Sequence, residues 1–240
     1  MAGPAAWSTS FNIANRSTSQ TRWSGSATVS EDEEGGSIKR VSGNFSFRPG
    51  PRWQLSAGPS VERLTDTQQY VTTMSGGRPE IYDTRYIFAF IERSTVATEL
   101  RMSLTLKPDV NLDVYAEPFA ASGHYYDYGE LLLPGGIERL KYGTNGTGLV
   151  VNPDGSQTVT AGSSTFNLRN RDFNTLSFRS NVVLRWEWRP GSTLYLVWQQ
   201  DRSETETLGG YVNVGDMFRS VAAPGRNSFV VKTSFWIPAK

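Results

Sequence analysis

With 240 residues, no cysteine and a formal net charge of +1, the chain excludes disulfides, cysteine-ligated metal or iron–sulfur centres and a cysteine nucleophile, and it has no basic field for nucleic acid. Hydrophobic residues make up 38% and charged residues 20%, and 23 Gly and 12 Pro are near ordinary usage, which excludes a collagen-like or low-complexity chain. No segment reaches the roughly 18 consecutive apolar residues of a membrane helix.

In chain order, the first residues, Met1 to Trp7, carry neither a charged start nor an apolar run, so they are not a signal peptide. An outer-membrane protein needs a leader, so a mature or excised piece, or more naturally a fragment of a longer product, is expected. Eleven strands are predicted, at about 5–14, 20–30, 37–48, 52–64, 66–74, 80–91, 94–107, 111–122, 172–188, 192–203 and 226–237. Their signature is alternation. Trp53, Leu55, Ala57, Pro59 and Val61 interleave with Gln54, Ser56, Gly58, Ser60 and Glu62. Leu100, Met102, Leu104 and Leu106 do the same, as do Leu112, Val114, Ala116 and Pro118, and then Leu176 to Trp188. Side chains of a strand point alternately to two faces, so each segment has an apolar face and a polar one. The only helix-like stretch, Tyr128 to Tyr142, is broken by Pro134-Gly135-Gly136.

Alternation alone fits a soluble sandwich as well as a membrane barrel. Three features favour the barrel. The segments are longer than the five or six residues of an ordinary strand. Tight Pro-containing turns at 48–51, 107–110 and 189–192 alternate with longer connections at 31–37, about 123–171 and 203–226. Trp53, Trp186, Trp188 and Trp236, with Phe45 and Phe47, gather at the short-turn end, as in an interfacial girdle. Within the longest connection, Asn152-Pro153-Asp154-Gly155 between two apolar runs predicts a hairpin beyond the membrane. Bacterial single-chain barrels have even strand numbers, so eleven implies a miscount or strands missing upstream.

The polar face carries Arg85, Glu99, Arg101, Asp113, Glu117, Arg179, Arg185 and Glu187, the candidates for lining a barrel lumen. An Arg facing lipid at mid-membrane costs about 2–4 kcal/mol, so these charges belong inside. There they form an interior ion-pair network or set the polarity of a pathway. Other chemistry is poorly supported. His124, the single histidine, has no serine signature near it and reads as a rim residue. Glu31-Asp32-Glu33-Glu34 precedes two glycines and reads as a solvated hairpin tip rather than a metal site. Nothing in the sequence brings two of Glu117, Glu130 and Glu187 together as a glycosidase pair. Tyr125, Tyr126, Tyr128 and Tyr142 could stack on sugars, but loop packing explains them as well.

Three stretches carry a resemblance. The run from Phe173 to Ser203, with its Trp-x-Trp-Arg-Pro-Gly-Ser-x-Leu turn at 186–194, resembles the C-terminal region of a bacterial outer-membrane family of unknown function. In that family a carbohydrate-binding-family-9-like module precedes a β-barrel. Asn227 to Trp236 is similar to its closing strand, and Val114 to Leu131 to a mid-barrel strand. The likeness covers about 80–240 well and the first eighty residues weakly. The binding module is absent here, and the family has no activity to carry over to particular residues.

The expectation is therefore an all-β, antiparallel, up-and-down transmembrane β-barrel over 1–240, the C-terminal part of a larger one, with a long extracellular loop at about 123–171. Its role would be structural, or in solute passage or binding at the bacterial outer membrane, with no catalysis, cofactor or metal. Expected partners are outer-membrane lipid, the barrel-assembly machinery and a glycan or small solute, and no nucleic acid. The rival readings are a soluble β-sandwich carbohydrate-binding module and, further off, an outer-membrane enzyme using loop carboxylates.

Overall fold

The computed structural model describes residues 4–16, 18, 20–133, 136 and 138–237. In chain order the strands are β1 (Ala6–Ala14), β2 (Thr21–Asp32), β3 (Ser37–Gly50), β4 (Trp53–Ser75), β5 (Thr84–Lys107), β6 (Val110–Leu131) and β7 (Arg139–Lys141). There follow β8 (Thr147–Val151), β9 (Gln157–Ala161), β10 (Ser164–Leu168), β11 (Phe173–Arg189), β12 (Ser192–Glu206) and β13 (Gly225–Ser234). One short helix, α1 (Val214–Arg219), lies between β12 and β13. The fold is all-β and antiparallel. Nine strands form one meander in the order β1-β2-β3-β4-β5-β6-β11-β12-β13, with β7 on the end of β6, and β8–β10 make a separate three-stranded sheet.

The large sheet is open rather than closed: β1 is bonded only to β2, and β13 only to β12. Direction gives the physical reason. In a nine-strand antiparallel meander the first and last strands run the same way, so β1 and β13 could meet only as a parallel pair.

Two expected pairs of strands are single strands. The segments at 52–64 and 66–74 are one strand, β4, and those at 80–91 and 94–107 are one strand, β5. In β4 the alternation slips at bulges between Asp66 and Gln69 and between Tyr70 and Thr72. An extra residue in one strand shifts every later side chain to the other face, which imitates a turn. The Asp66 carboxylate strengthens the illusion by accepting the Gln68 amide at 2.8 Å. In β5 the polar run Glu92-Arg93-Ser94 stays in the ladder, opposite Thr65, Leu64 and Arg63. The true turn lies at 76–83, where a 3-10 turn (Pro79–Ile81) and left-handed Tyr82 and Asp83 occupy the expected start of a strand.

The three tight turns form at Pro51-Arg52, Pro108-Asp109 and Pro190-Gly191. Asymmetry at the other end is weaker than expected. The connection after Asp32 spans only Glu33–Gly36, closed by the Asp32 carboxylate accepting the Glu34 and Gly36 amides at 2.9 and 2.7 Å. Strand β6 continues past Gly123 to Leu131, so the long connection starts later than 123. The helix-like stretch at 128–142 holds the end of β6 and β7; its breakers Pro134 and Gly135 lie outside the described residues.

Two small cores complete the fold. Ile87, Ala89, Tyr128, Tyr142, Val159 and Leu168 join the three-stranded sheet to β5 and β6. Val96, Ala120, Val212 and Met217, with Leu176, join the 207–224 connection to β5, β6 and β11. The cores lie on opposite faces of β5. That strand alternates regularly, so buried Arg85, Ile87 and Ala89 share one face, and buried Ser94, Val96 and Thr98 the other.

Candidate functional site: two faces of one sheet

Register carries each face across the nine strands. One face is apolar except toward the upper end of β12, where Gln200, Arg202 and Glu204 lie on it. Going up from the tight turns, one row runs Trp23, Phe45, Ala57, Leu100 and Ala116, each directly opposite the next. Another runs Met102, Val114, Val182, Trp198 and Phe229. These side chains are largely uncovered: Phe11 is 65% exposed, Trp53 44% and Phe229 74%. Their aromatics pack on one another rather than under a second layer. Trp186 meets Trp188 edge-on at 6.4 Å, Trp188 meets Phe235 at 5.2 Å, and Trp198 stacks on Phe229 at 5.8 Å.

The opposite face is polar. Ser10, Thr28, Arg40, Glu62 and Thr95 form one row. Ser46, Ser56, Arg101, Tyr115, Asn181, Gln199 and Ser228 form another. A third, Glu117, Arg179, Asp201 and Arg226, alternates in sign across β6, β11, β12 and β13. Opposite charges directly across strands contribute roughly 0.2–1 kcal/mol each, and like charges there would oppose pairing.

Of the eight expected lining residues, Glu99, Arg101, Asp113, Glu117, Arg179 and Arg185 sit on this face. Arg101 bonds Glu99 and lies over the Tyr115 ring at 5.0 Å, while the Tyr115 hydroxyl donates to Glu117 at 2.7 Å. Ser103 donates to Asp113 at 2.6 Å. Glu187 lies at the lower end of the same face, opposite Thr193, and also serves the turn: it accepts the Gly191 amide at 3.1 Å and Arg185 at 3.2 Å. Arg85 shares the polar face of β5 but is sealed beneath the three-stranded sheet. There its guanidinium bonds Glu130, the Tyr142 hydroxyl donates to Glu130 at 3.2 Å, and the Phe166 ring lies 5.3 Å from the guanidinium carbon. Burial, and then the Glu130 charge, push the Tyr142 hydroxyl well above its ordinary range.

Sequence reasoning missed Arg40, Glu62, Arg93, Asp201 and Arg226. Glu62 bonds Arg40 and lies 3.7 Å from Arg93. Only the cross-strand register, which no single strand reveals, could have linked them.

The remaining candidates stay apart. Glu117, Glu130 and Glu187 sit with separate partners in three places. No cluster of three or more potential metal ligands is present among the described residues. His124 lies on β6 rather than in a loop, stacked on Tyr126 at 5.8 Å, with Nδ1 2.7 Å from the Asp172 carboxylate. The same carboxylate accepts the Tyr125 amide at 2.7 Å, so the pair clamps the re-entry of the chain into β11.

No curated protein and no solved structure matches the chain. A family model described as a domain of unknown function matches residues 5–239, almost its whole length. The chain belongs to the DUF5916 family.

Proposed function

We propose that the chain is a membrane-spanning part of a bacterial outer-membrane β-barrel, with the apolar face toward lipid and the polar face toward an aqueous interior. The observation that carries this reading is the apolar face, uncovered except where the 207–224 connection packs on its upper edge. It crosses nine strands, about 43 Å at 4.8 Å per strand, and so exposes on the order of 1,000 Å². Soluble monomers rarely show an apolar patch beyond about 300–600 Å². Its height also fits. From Leu106 to Val96 is ten residues of β5, about 33 Å of strand and about 25 Å of height at a 40° tilt. That is the height of a lipid-facing band.

The rival β-sandwich would cover its apolar face with a second sheet. The second sheet here packs on the other face of β5 and β6. The edges support a part rather than a whole: an all-antiparallel ring needs an odd number of further strands between β13 and β1. The role is structural, or in solute passage or binding along the polar face, without catalysis. In the cell such a chain would reach the outer membrane through the barrel-assembly machinery. The intact protein should fold only in detergent or lipid and migrate heat-modifiably; a monodisperse soluble monomer in plain buffer would refute the proposal.

A further inference from the structure

The connection between β12 and β13 does not reach out from the sheet. It folds back over the apolar face. Val212 and Met217 are buried against Val96, Ala120 and Leu176, Ser94 donates to the Val212 carbonyl at 3.2 Å, and Arg202 donates to the Ala223 carbonyl at 3.2 Å. A capping box of Asn213 and Asp216 sets the helix. With its inner side buried, this element still presents apolar side chains outward: Leu208 is 72% exposed and Phe218 58%, with Val214 and Val221 beside them. On β5, β6 and β11 it packs on Val96, Ala120 and Leu176, the top row of the apolar band there. On β4 and β5 the first charges above that row on this face, Arg63 and Glu92, turn to Tyr211 of the same connection: Tyr211 donates to Glu92, and Arg63 lies 4.9 Å from its ring centroid.

We infer that the 207–224 connection is an interfacial anchor. It lies flat against the outside of the sheet at the upper edge of the band and inserts Leu208, Val214, Phe218 and Val221 among the acyl chains of the outer leaflet. The inference rests on the barrel reading. Continuity identifies the occupant: the outward side of the connection extends the surface proposed to meet lipid, at the depth where amphipathic segments bury an apolar face about 5–10 Å into the headgroup boundary.

The absence of cysteine permits a direct test. Phe218→Cys, Val221→Cys, the band position Leu196→Cys and the exposed β8 position Val150→Cys would each carry an environment-sensitive fluorophore. The intact protein would be reconstituted in phosphatidylcholine vesicles with or without lipid bearing a nitroxide high on the acyl chain. Labels at Phe218, Val221 and Leu196 should be quenched about two-fold more than the label at Val150, as expected for groups within the boundary layer. If Leu196 is quenched while Phe218 and Val221 behave like Val150, the barrel stands and the anchor is overturned. If Leu196 is not quenched, both fail.

Discussion

At the scale of single residues, neighbours in sequence have opposite fates. Leu184 faces the apolar side and Arg185 the polar side, opposite Leu196 and Tyr195 respectively. Leu184→Arg on the apolar side should cost up to about 2–4 kcal/mol, the cost of a mid-membrane Arg, and hinder assembly into membranes. Arg185→Leu should assemble, losing only its bond to Glu187 and changing at most conductance. Membrane fractionation with heat-modifiability reads both; equal tolerance would reverse the assignment of the faces. A second residue-scale test concerns the pair beneath the three-stranded sheet. Arg85 and Glu130 have side chains only 8% and 3% exposed. Removing one partner of a buried pair costs about 3–5 kcal/mol, because a charge stays buried alone. Glu130→Leu should therefore loosen β8–β10, seen as faster hydrogen exchange at Val159 and proteolysis at 152–155. Adding Arg85→Leu should restore much of the protection. The pH dependence follows from Tyr142. Its hydroxyl is raised in the fold, so it binds a proton that the unfolded chain releases first. Its contribution is intact below the ordinary tyrosine range near pH 10 and is lost as pH rises above it. Protection of Val159 should fall above about pH 10, and Tyr142→Phe should flatten that fall.

At the scale of elements, the turns that hold strands in register can be tested by a single methyl. Gly191 adopts a φ of 77°, and a Cβ there would meet Trp236 Cβ at 2.8 Å. Gly191→Ala should destabilise the β11–β12 turn by more than the roughly 1 kcal/mol of backbone strain, because the Trp236 backbone must also move. A lower temperature for loss of heat-modifiable migration would report it. This turn was legible in the sequence, since Pro190-Gly191 breaks an otherwise strict alternation. So were the hairpin at 152–155 and the two faces of β5, β6 and β11, for the same reason: each is set by residues a few positions apart. The long reach of β4 and β5 was not legible. The bulge at Asp66–Gln69 changes the phase of alternation, and a phase change reads like a chain reversal until the partner strand is known. The helix at 214–219 was missed although Asn213-x-x-Asp216 is a capping signature, because six residues hold too little periodicity to stand out. The charge row from Glu117 to Arg226 exists only through pairing between strands, so no reading of one strand contains it.

At the scale of the whole molecule, the unsatisfied features are the two edges. β1, with no charged residue among Ala6–Ala14, presents a full row of backbone donors and acceptors, and β13 presents another. Natural sheets blunt such edges with charge, proline or bulges, or abolish them by closure. Here Arg226 and Lys232 are the only charges on β13, and both lie on the polar face. Edges so plain are suited to pairing. Arg226 ends the alternating row, so the strand beside β13 should offer an acid or a hydrogen-bond acceptor at that height. Direct closure would instead require β1 against β13 in parallel, a slanted ladder slightly weaker per residue than the antiparallel ones beside it. Cysteine pairs distinguish these arrangements. Ser8, Ser10 and Asn12 of β1 would be combined in turn with Ser228, Val230 and Lys232 of β13, all on the polar face. In the intact protein in lipid, no combination should form an intramolecular disulfide, because a disulfide requires Cα atoms within about 7 Å and an odd number of strands would intervene. A control pair across an existing ladder, Gln199 with Ser228, should cross-link readily. Efficient bridging between β1 and β13 would show that the nine strands close on themselves, and would remove the case for further strands.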